Sequence, residues 1–523
     1  MKRLSFIIFH LSFSVALLLL LASCSKEQGG RLIPDNAWIV VRWDMMKTME
    51  STGMKGDDTS TKEQIEKLIK NVGLDKEVRE KLLDIIDDPT SSGFDFTEPV
   101  YLYLAPGGRS GFTGGIVGTT ASKGDIADIV EMLGKMDDDI ELKDYKSGGV
   151  QYARLDHSTL LVFNGDWFYM GMLEGSDWEE TVDDTIEDLL DRAAGNNNLE
   201  EHPALQKMAE SKGLIQIGMF GSGFDGLPGM SQLTSQLPEG CELKDVSGVL
   251  DFIINKGEIV MEGEALLMSD AWKKQVEMYG IEEIEESQTK YADAEGALAV
   301  INIDPKAIYQ FAMNAAKSYE LNSEALKQIE ELKPIFDAFT GKGMVAINSW
   351  EEGDDPEIVA YVGTKDNKLL DKLVGDQPTM EDRGITSVAN NEYRVPIDYD
   401  YDYNDSIGDY VMMPTKFMQI GWKDNQTYFL MNTEKEPFTA SRKPFTDVKG
   451  VGFFAYVSGK LLGQAVSSID DDAYVAGKAV NDLLDYMELY YESSTKGVFR
   501  IAMKKKDKSP VVTIIDYVKH HFM

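Results

Sequence analysis

The sequence holds two cysteines, Cys24 and Cys241, and five histidines, His10, His157, His202, His520 and His521. Two thiols cannot build a thiolate metal cluster. Basic residues are also scarce, with 52 Lys and Arg against 89 Asp and Glu for a net charge of −37. Nucleic acid and anionic lipid headgroups select for basic surfaces, so both are poor partners. The acidity itself reads as a soluble, self-repelling surface. No stretch carries a complete catalytic or cofactor motif. The 43% of hydrophobic and 10% of aromatic residues supply packed cores, and a chain of about 500 mature residues suggests two to four domains.

The N-terminus is the most informative segment. Lys2 and Arg3 precede a largely apolar run from Phe6 to Leu21, interrupted only by His10, Ser12 and Ser14. The run is shorter than a comfortable span of about 20 residues and ends at small side chains, as a cleaved signal does. Leu21-Ala22-Ser23-Cys24 resembles the lipobox of type II signal peptides. In that family the cysteine thiol takes a diacylglycerol and the signal is cut just before it. The resemblance implies a signal peptide over 1–23, lipidation of Cys24 and a lipidated tether over 24–32. Two or three acyl chains then make the anchoring stable, where one does not. Ser25 is not an inner-membrane retention residue, which favours the outer membrane. Ser25 to Gln28 only faintly resembles an acid-rich surface-export signal, and the membrane face is left open. Cleavage removes Lys2, Arg3 and no acid, taking the charge from −37 to −39. Lipidation of Cys24 then leaves Cys241 as the last free thiol, so no intrachain disulfide forms. Cys241 lies beside Leu243 and Val246 and reads as a half-buried structural residue.

Beyond the tether the chain reads as two diverged copies of one unit. Ala37 to Asp44 lines up with Ala297 to Asp304, each a strand-like run closed by an aspartate placed to cap a helix. Helical spacing follows, through Ile65, Leu68, Ile69 and Val72 behind a Ser60/Glu63 capping box, and then Val78, Leu82, Ile85 and Ile86 behind Asp75. The second copy answers with Leu326, Ile329 and Leu332. Paired strands come next, at 100–104 and 115–119 in one copy and 344–348 and 357–363 in the other. Val117-Gly118-Thr119 leads into a helix over 125–133, as Val362-Gly363-Thr364 does over 367–374. Hairpins at 162–170 and 421–430 are expected to turn on Asn164-Gly165 and Asp424-Asn425. Each copy closes with a strand (214–220; 452–457) and a long hairpin (248–267; 489–515).

The expected organisation is therefore a first α+β repeat over 33–281, a polar linker over 282–292 and a second repeat over 293–523. Each repeat is an antiparallel sheet covered by helices on one face. With its Ile33-Pro34-Asp35-Asn36-Ala37 opening just after the lipobox, the mature chain resembles an uncharacterised group of Bacteroidota lipoproteins, carried as a domain of unknown function (the 4836 family). That resemblance brings no catalytic residues with it.

Local chemistry is sparse. Asp398, Asp400, Asp402 and Asp409 take positions 1, 3, 5 and 12 of a calcium-loop spacing of oxygen ligands. Tyr403 stands where such a loop needs glycine, and Asp409 replaces its bidentate glutamate. The interleaved Tyr399, Tyr401, Tyr403 and Tyr410 offer an aromatic platform for a sugar ring instead. Gly107 to Gly115 lacks the ending of a phosphate loop and reads as a hairpin turn, and the glycines from Gly221 to Gly229 read as a loop rather than a nucleophile elbow. Asp156-His157-Ser158 holds triad residue types, but consecutive side chains diverge, so it too reads as a turn. His520 and His521 lack a third metal ligand. Thr185 and Ser406 sit in Asp-Thr-Ile and Asp-Ser-Ile runs that resemble a periplasmic O-glycosylation motif.

The function expected is a non-enzymatic binding or scaffold role in the cell envelope. The protein is held to the membrane through Cys24 and acts on an unknown protein or glycan ligand, with no cofactor unless calcium. Alternatives are a hydrolase using two carboxylates, and calcium-dependent adhesion or glycan binding through the 398–409 loop.

Overall fold

The computed structural model describes residues 29–522 apart from 56–59, 72–75, 108–111, 157, 173–177, 225–233, 235–236, 279, 319–322, 351–354, 405–408, 433–440, 442 and 470–472. The signal peptide and Cys24 lie outside the described residues. The chain is α+β and divides into two compact units, one running to Trp272 and taking in the C-terminal segment from Asp507, the other Lys273–Lys506.

The first unit contains β1 (Ile39–Trp43), β2 (Phe94–Asp95), β3 (Val100–Pro106), β4 (Phe112–Thr120), β5 (Leu142–Asp144), β6 (Gln151–Arg154), β7 (Thr159–Phe163), β8 (Trp167–Met172), β9 (Ile215–Phe220), β10 (Val246–Asn255) and β11 (Glu258–Leu267). Its strands pair antiparallel throughout, in the order β11-β10-β9-β1-β3-β4-β8-β7-β6-β5, and β2 extends the sheet beside the end of β4.

Consecutive apolar residues such as Ile39-Val40-Val41 give a strand two apolar faces, and both are used. Val40, Tyr101, Tyr103 and Tyr169 face a core closed by the helices Trp178–Ala193 and Pro203–Glu210 through Val182, Ile186, Leu189, Leu205 and Met208. On the other face, Val100 and Phe168 pack with Trp43, Ile116 and Met170 under Met45, Ile85, Ile86, Ile126 and Ile129. Those five belong to the helices Met45–Ser51, Lys76–Asp87 and Lys123–Gly134. Helices on one face alone were expected; the first unit has them on both. Val78, Leu82, Ile85 and Ile86 are buried as their spacing requires, whereas Leu68 is exposed.

The second unit contains β12 (Ala297–Asn302), β13 (Phe339–Ser349), β14 (Glu357–Thr364), β15 (Thr386–Ala389), β16 (Glu392–Asn404), β17 (Asp409–Lys423), β18 (Gln426–Met431), β19 (Phe453–Ser458), β20 (Leu484–Tyr491) and β21 (Lys496–Met503). Its order is β21-β20-β19-β12-β13-β14-β18-β17-β16-β15, again antiparallel throughout. Read from either end, the ten-strand order matches that of the first unit strand for strand. The strand–Asp–helix opening also recurs. Asp44 accepts from Lys47 N at 3.0 Å and Asp304 from Lys306 N at 2.9 Å, each capping the helix that follows.

Three local expectations change. Asp424 and Asn425 turn with φ of 53° and 59°, as a two-residue hairpin requires. Asn164 instead accepts from Asp166 N and Trp167 N at 2.8 and 2.9 Å, a side-chain-closed turn that needs no positive φ. The polar run 282–292 is not a loose linker: it forms the 3-10 helix Glu286–Thr289. Gln288 O accepts from the Tyr361 hydroxyl at 3.0 Å and Thr289 donates to Phe445 O at 2.8 Å, while Tyr291 and Ala292 are buried. The last hairpin spans Leu484–Met503, not 489–515, because Pro510–Phe522 is a helix.

His202 gives the first unit a pH dependence. It caps the helix Pro203–Glu210, its Nδ1 accepting from Ala204 N at 3.1 Å. Burial lowers its pKa below the ordinary imidazole value. The neutral ring is the one that caps, so its contribution is full above about pH 6.5 and falls as pH drops toward the depressed folded value. Lowering pH from 7.5 to 5.5 is expected to reduce the first unit's melting temperature more in the native chain than in His202→Asn, whose carboxamide caps at either pH. Equal pH slopes for the two chains would remove His202 from the account.

Candidate functional site

Each unit exposes apolar side chains on one face of its sheet. In the first, Leu104, Ile39, Met219 and Gly248 stand in one cross-strand register, with Gly114 beside Leu104. Alternation along the strands places this row on the face opposite Val40 and Tyr103. Met172, on the same parity of β8 as Met170, continues it past Gly114. Leu104 is 37% exposed, Met219 47% and Met172 51%. The second unit repeats the feature. Val345, Ala299, Ala455 and Leu489 are in register across β13, β12, β19 and β20, and Val345, Leu489 and the neighbouring Ile301 are exposed. Contiguous exposed apolar surface marks a contact face more often than isolated exposed residues do. The sequence carried a signal for these rows in strands that are apolar at both parities.

Several buried polar groups, by contrast, are committed to each other. Arg42 donates to Gln216 Oε1 at 2.8 Å, and Gln216 Nε2 donates to Asp251 Oδ1 at 2.8 Å, across β1, β9 and β10. Ser211 donates to Asp251 Oδ2 and accepts from Gly213 N at 2.9 Å. Such a paired ladder fixes register. In the second unit, Glu488 meets Lys449 at 2.8 Å and Arg500 at 3.1 Å.

Among the described residues, the carboxylates with resolved shifts move down, away from general-acid behaviour. Glu285 is lowered by Lys342, Glu295 by Lys443 and Lys460, Asp366 by Lys368 and Asp376 by Thr379. Burial pushes Asp156 up, but hydrogen bonds from Ser158 and Thr159 bring it below the ordinary value. An open depression of about 280 Å³ is lined by Asp35, Gly195, Asn197, Asn198, Glu200 and Glu201; Glu200 takes Arg31 at 2.9 Å.

The residues singled out from sequence are dispersed. Asp398, Asp400 and Asp402 lie along β16, and Asp409 begins β17, so the segment is an antiparallel hairpin with Asn404 opposite Asp409. A wrapped twelve-residue loop is thus replaced by extended chain. The Asp-Tyr alternation has the period of a strand, and tyrosine favours strands. Alternate residues there stand about 6.6 Å apart. Lys416 reaches Asp355 at 2.6 Å and Asp398 at 3.9 Å. The side chains of Asp402 and Asp409, and all of Ser406, lie outside the described residues. Among the described residues, no three His, Cys, Asp or Glu side chains are grouped to hold a metal ion.

Thr185 sits within the helix Trp178–Ala193, its hydroxyl donating to Thr181 O at 2.7 Å. Asp156 and Ser158 form the β6–β7 turn, His157 lying outside the described residues; of the glycine-rich run, Gly114 and Gly115 belong to β4 and 108–111 lie outside the described residues. Cys241 is buried, and burial first, then Asp245, raises its pKa, which disfavours a reactive thiolate. No helix among the described residues is long and apolar enough to cross a membrane.

No curated protein matches the chain. Among solved structures, crystal form I of TP0453 is similar at 11% identity, over 47% of this chain and 80% of that one. Its TM-score of 0.24 is too low to inform the fold. A family described as a domain of unknown function, DUF4836, matches residues 30–397. The chain belongs to that family.

Proposed function

We propose that this chain is a lipid-anchored cell-envelope protein, built of two diverged copies of one α+β unit, that works by binding rather than by catalysis. The observation carrying the binding role is the exposed apolar row on the sheet face, present in both units. Exposed apolar surface opposes solubility, and a cleaved chain of net charge −39, the −37 of the full sequence less Lys2 and Arg3, can keep such a face in water until a partner covers it. The matching ten-strand orders support the duplication. Cleavage before Cys24 and acylation of its thiol supply the anchor, and the outer membrane is the membrane favoured. The hydrolase alternative needs a carboxyl group raised to act as an acid; the downward shifts at Asp156, Glu285, Glu295, Asp366 and Asp376 give it no support.

The test is capture from the protein's own envelope. The acylated chain is expected to retain a component that is lost when Val345 and Leu489 are both changed to Asp, at unchanged melting temperature. Identical captured material from both chains would refute binding through this face.

A further inference from the structure

We propose that the first unit stands on its membrane with the helices Trp178–Ala193 and Pro203–Glu210 toward the bilayer and the row Met172, Leu104, Ile39 and Met219 turned away from it. The inference rests on the acylation of Cys24 proposed above, and it adds the side from which a partner reaches the row. The orientation is decided by where the chain enters the fold. Leu32 and Ile33 are fully buried in the core that Tyr101, Tyr103, Ile186 and Leu205 share, and Arg192 donates to Leu32 O. Leu199 N donates to Ile33 O at 3.2 Å, and Arg31 pairs with Glu200 at 2.9 Å. Directly ahead of them, a Cβ on Gly30 would lie 3.8 Å from the Tyr101 hydroxyl and 4.0 Å from Leu205 Cδ2. One on Gly29 would lie 2.9 Å from Gly118 Cα and 3.3 Å from the Tyr101 ring. The chain from Gly29 onward is thus fixed between the sheet and these two helices. The row belongs to the opposite face.

Cys24 precedes Gly29 by five residues, a length of chain that spans at most about 18 Å. Each way round the sheet to the row is longer. Sideways from β4, the nearer edge at β5 is four strand spacings off, about 19 Å, before any return along the far face. Toward one strand end, Thr120 is about 7 Å from Gly118, and the row begins at Gly114, about 20 Å back along the other face. Toward the other end, Phe112 is itself about 20 Å away. The lipid therefore enters the bilayer on the side of the two helices, and whatever covers the row approaches from the aqueous compartment. The helix Trp178–Ala193 carries seven Asp and Glu, which anionic headgroups repel. The surface that faces the bilayer suits neutral headgroups, with the helices standing in water above them.

The experiment measures energy transfer from a donor dye to headgroup-labelled lipid in phosphatidylcholine vesicles, with the acylated chain in a Cys241→Ser background. A donor on Asp184→Cys or Gln206→Cys, exposed positions of the two helices, is expected to transfer several-fold more than one on Met172→Cys or Met219→Cys. Inserting about twenty Gly and Ser residues between Gln28 and Gly29, a coil of about 25 Å, is expected to level the two pairs at unchanged melting temperature. Equal transfer from both pairs behind the native tether, more transfer from the methionine positions, or a difference that survives the insertion overturns the proposal. Mass spectrometry of the chain from its own cells separates the two readings. An unmodified Cys24 overturns the anchor and the orientation with it, whereas equal transfer from a chain acylated at Cys24 overturns the orientation alone.

Discussion

Changing Glu488 to Ala is expected to destabilise the second unit by about 3–5 kcal/mol, the range for removing one partner of a buried ionic group. Glu488 sits on β20, its side chain 1% exposed, between Lys449 at 2.8 Å and Arg500 at 3.1 Å. The substitution does more than delete a favourable contact. It leaves two mostly covered cations without the buried carboxylate they share. Replacing the cluster by apolar side chains has a different expected result. Glu488→Leu with Arg500→Met should recover much of the loss, since buried ion pairs often only break even with well-packed hydrophobic residues. Lys449, 29% exposed, can turn its ammonium toward water. Urea unfolding of the two variants decides the matter. A loss below about 1 kcal/mol for Glu488→Ala would place the cluster with surface pairs that contribute little.

How far the sequence revealed this protein depended on whether a signal was local. The Asp44 and Asp304 caps, the 76–87 helix and the Asp424-Asn425 turn each follow from a few neighbouring residues, and the structure has them. Elements set by distant partners were misjudged. The polar run 282–292 looked like a linker because its own composition is polar, yet Gln288 and Thr289 are buried by bonds to Tyr361 and Phe445, more than 70 residues away. The hairpin expected over 489–515 runs into the helix Pro510–Phe522, where Val511, Val512, Ile514 and Ile515 carry β-branched side chains that favour strands only until packing overrides them. The Asp-Tyr run at 398–403 was read for its ligand spacing, although the same period of two is that of a strand. For the apolar rows, both faces of β3 are apolar in the sequence, but which face stays open depends on where the helices end, and no local pattern records that.

Ending the chain at Lys506 is expected to destabilise the first unit, although the deleted residues follow the second in sequence. The segment from Asp507 belongs to the first unit. Lys508 O accepts from Gly257 N at 2.8 Å in the β10–β11 turn, and Ser509 donates to Ser51 O at the end of the helix Met45–Ser51. Val512 and Thr513 are then buried, while Lys508 and Asp516 pair at 3.0 Å where both are part-exposed, a contact of small value. Burial of one valine with its half-covered neighbours, plus two hydrogen bonds, amounts to about 2–4 kcal/mol. The loss should appear in the unfolding of the first unit and leave that of the second nearly unchanged, as measured by hydrogen exchange resolved by peptide. Loosened amides in Met45–Ser51 and around Gly257 are the expected signature. Were the second unit to soften instead, the C-terminal helix would belong with the repeat that precedes it in sequence, and the first unit would be a continuous domain after all.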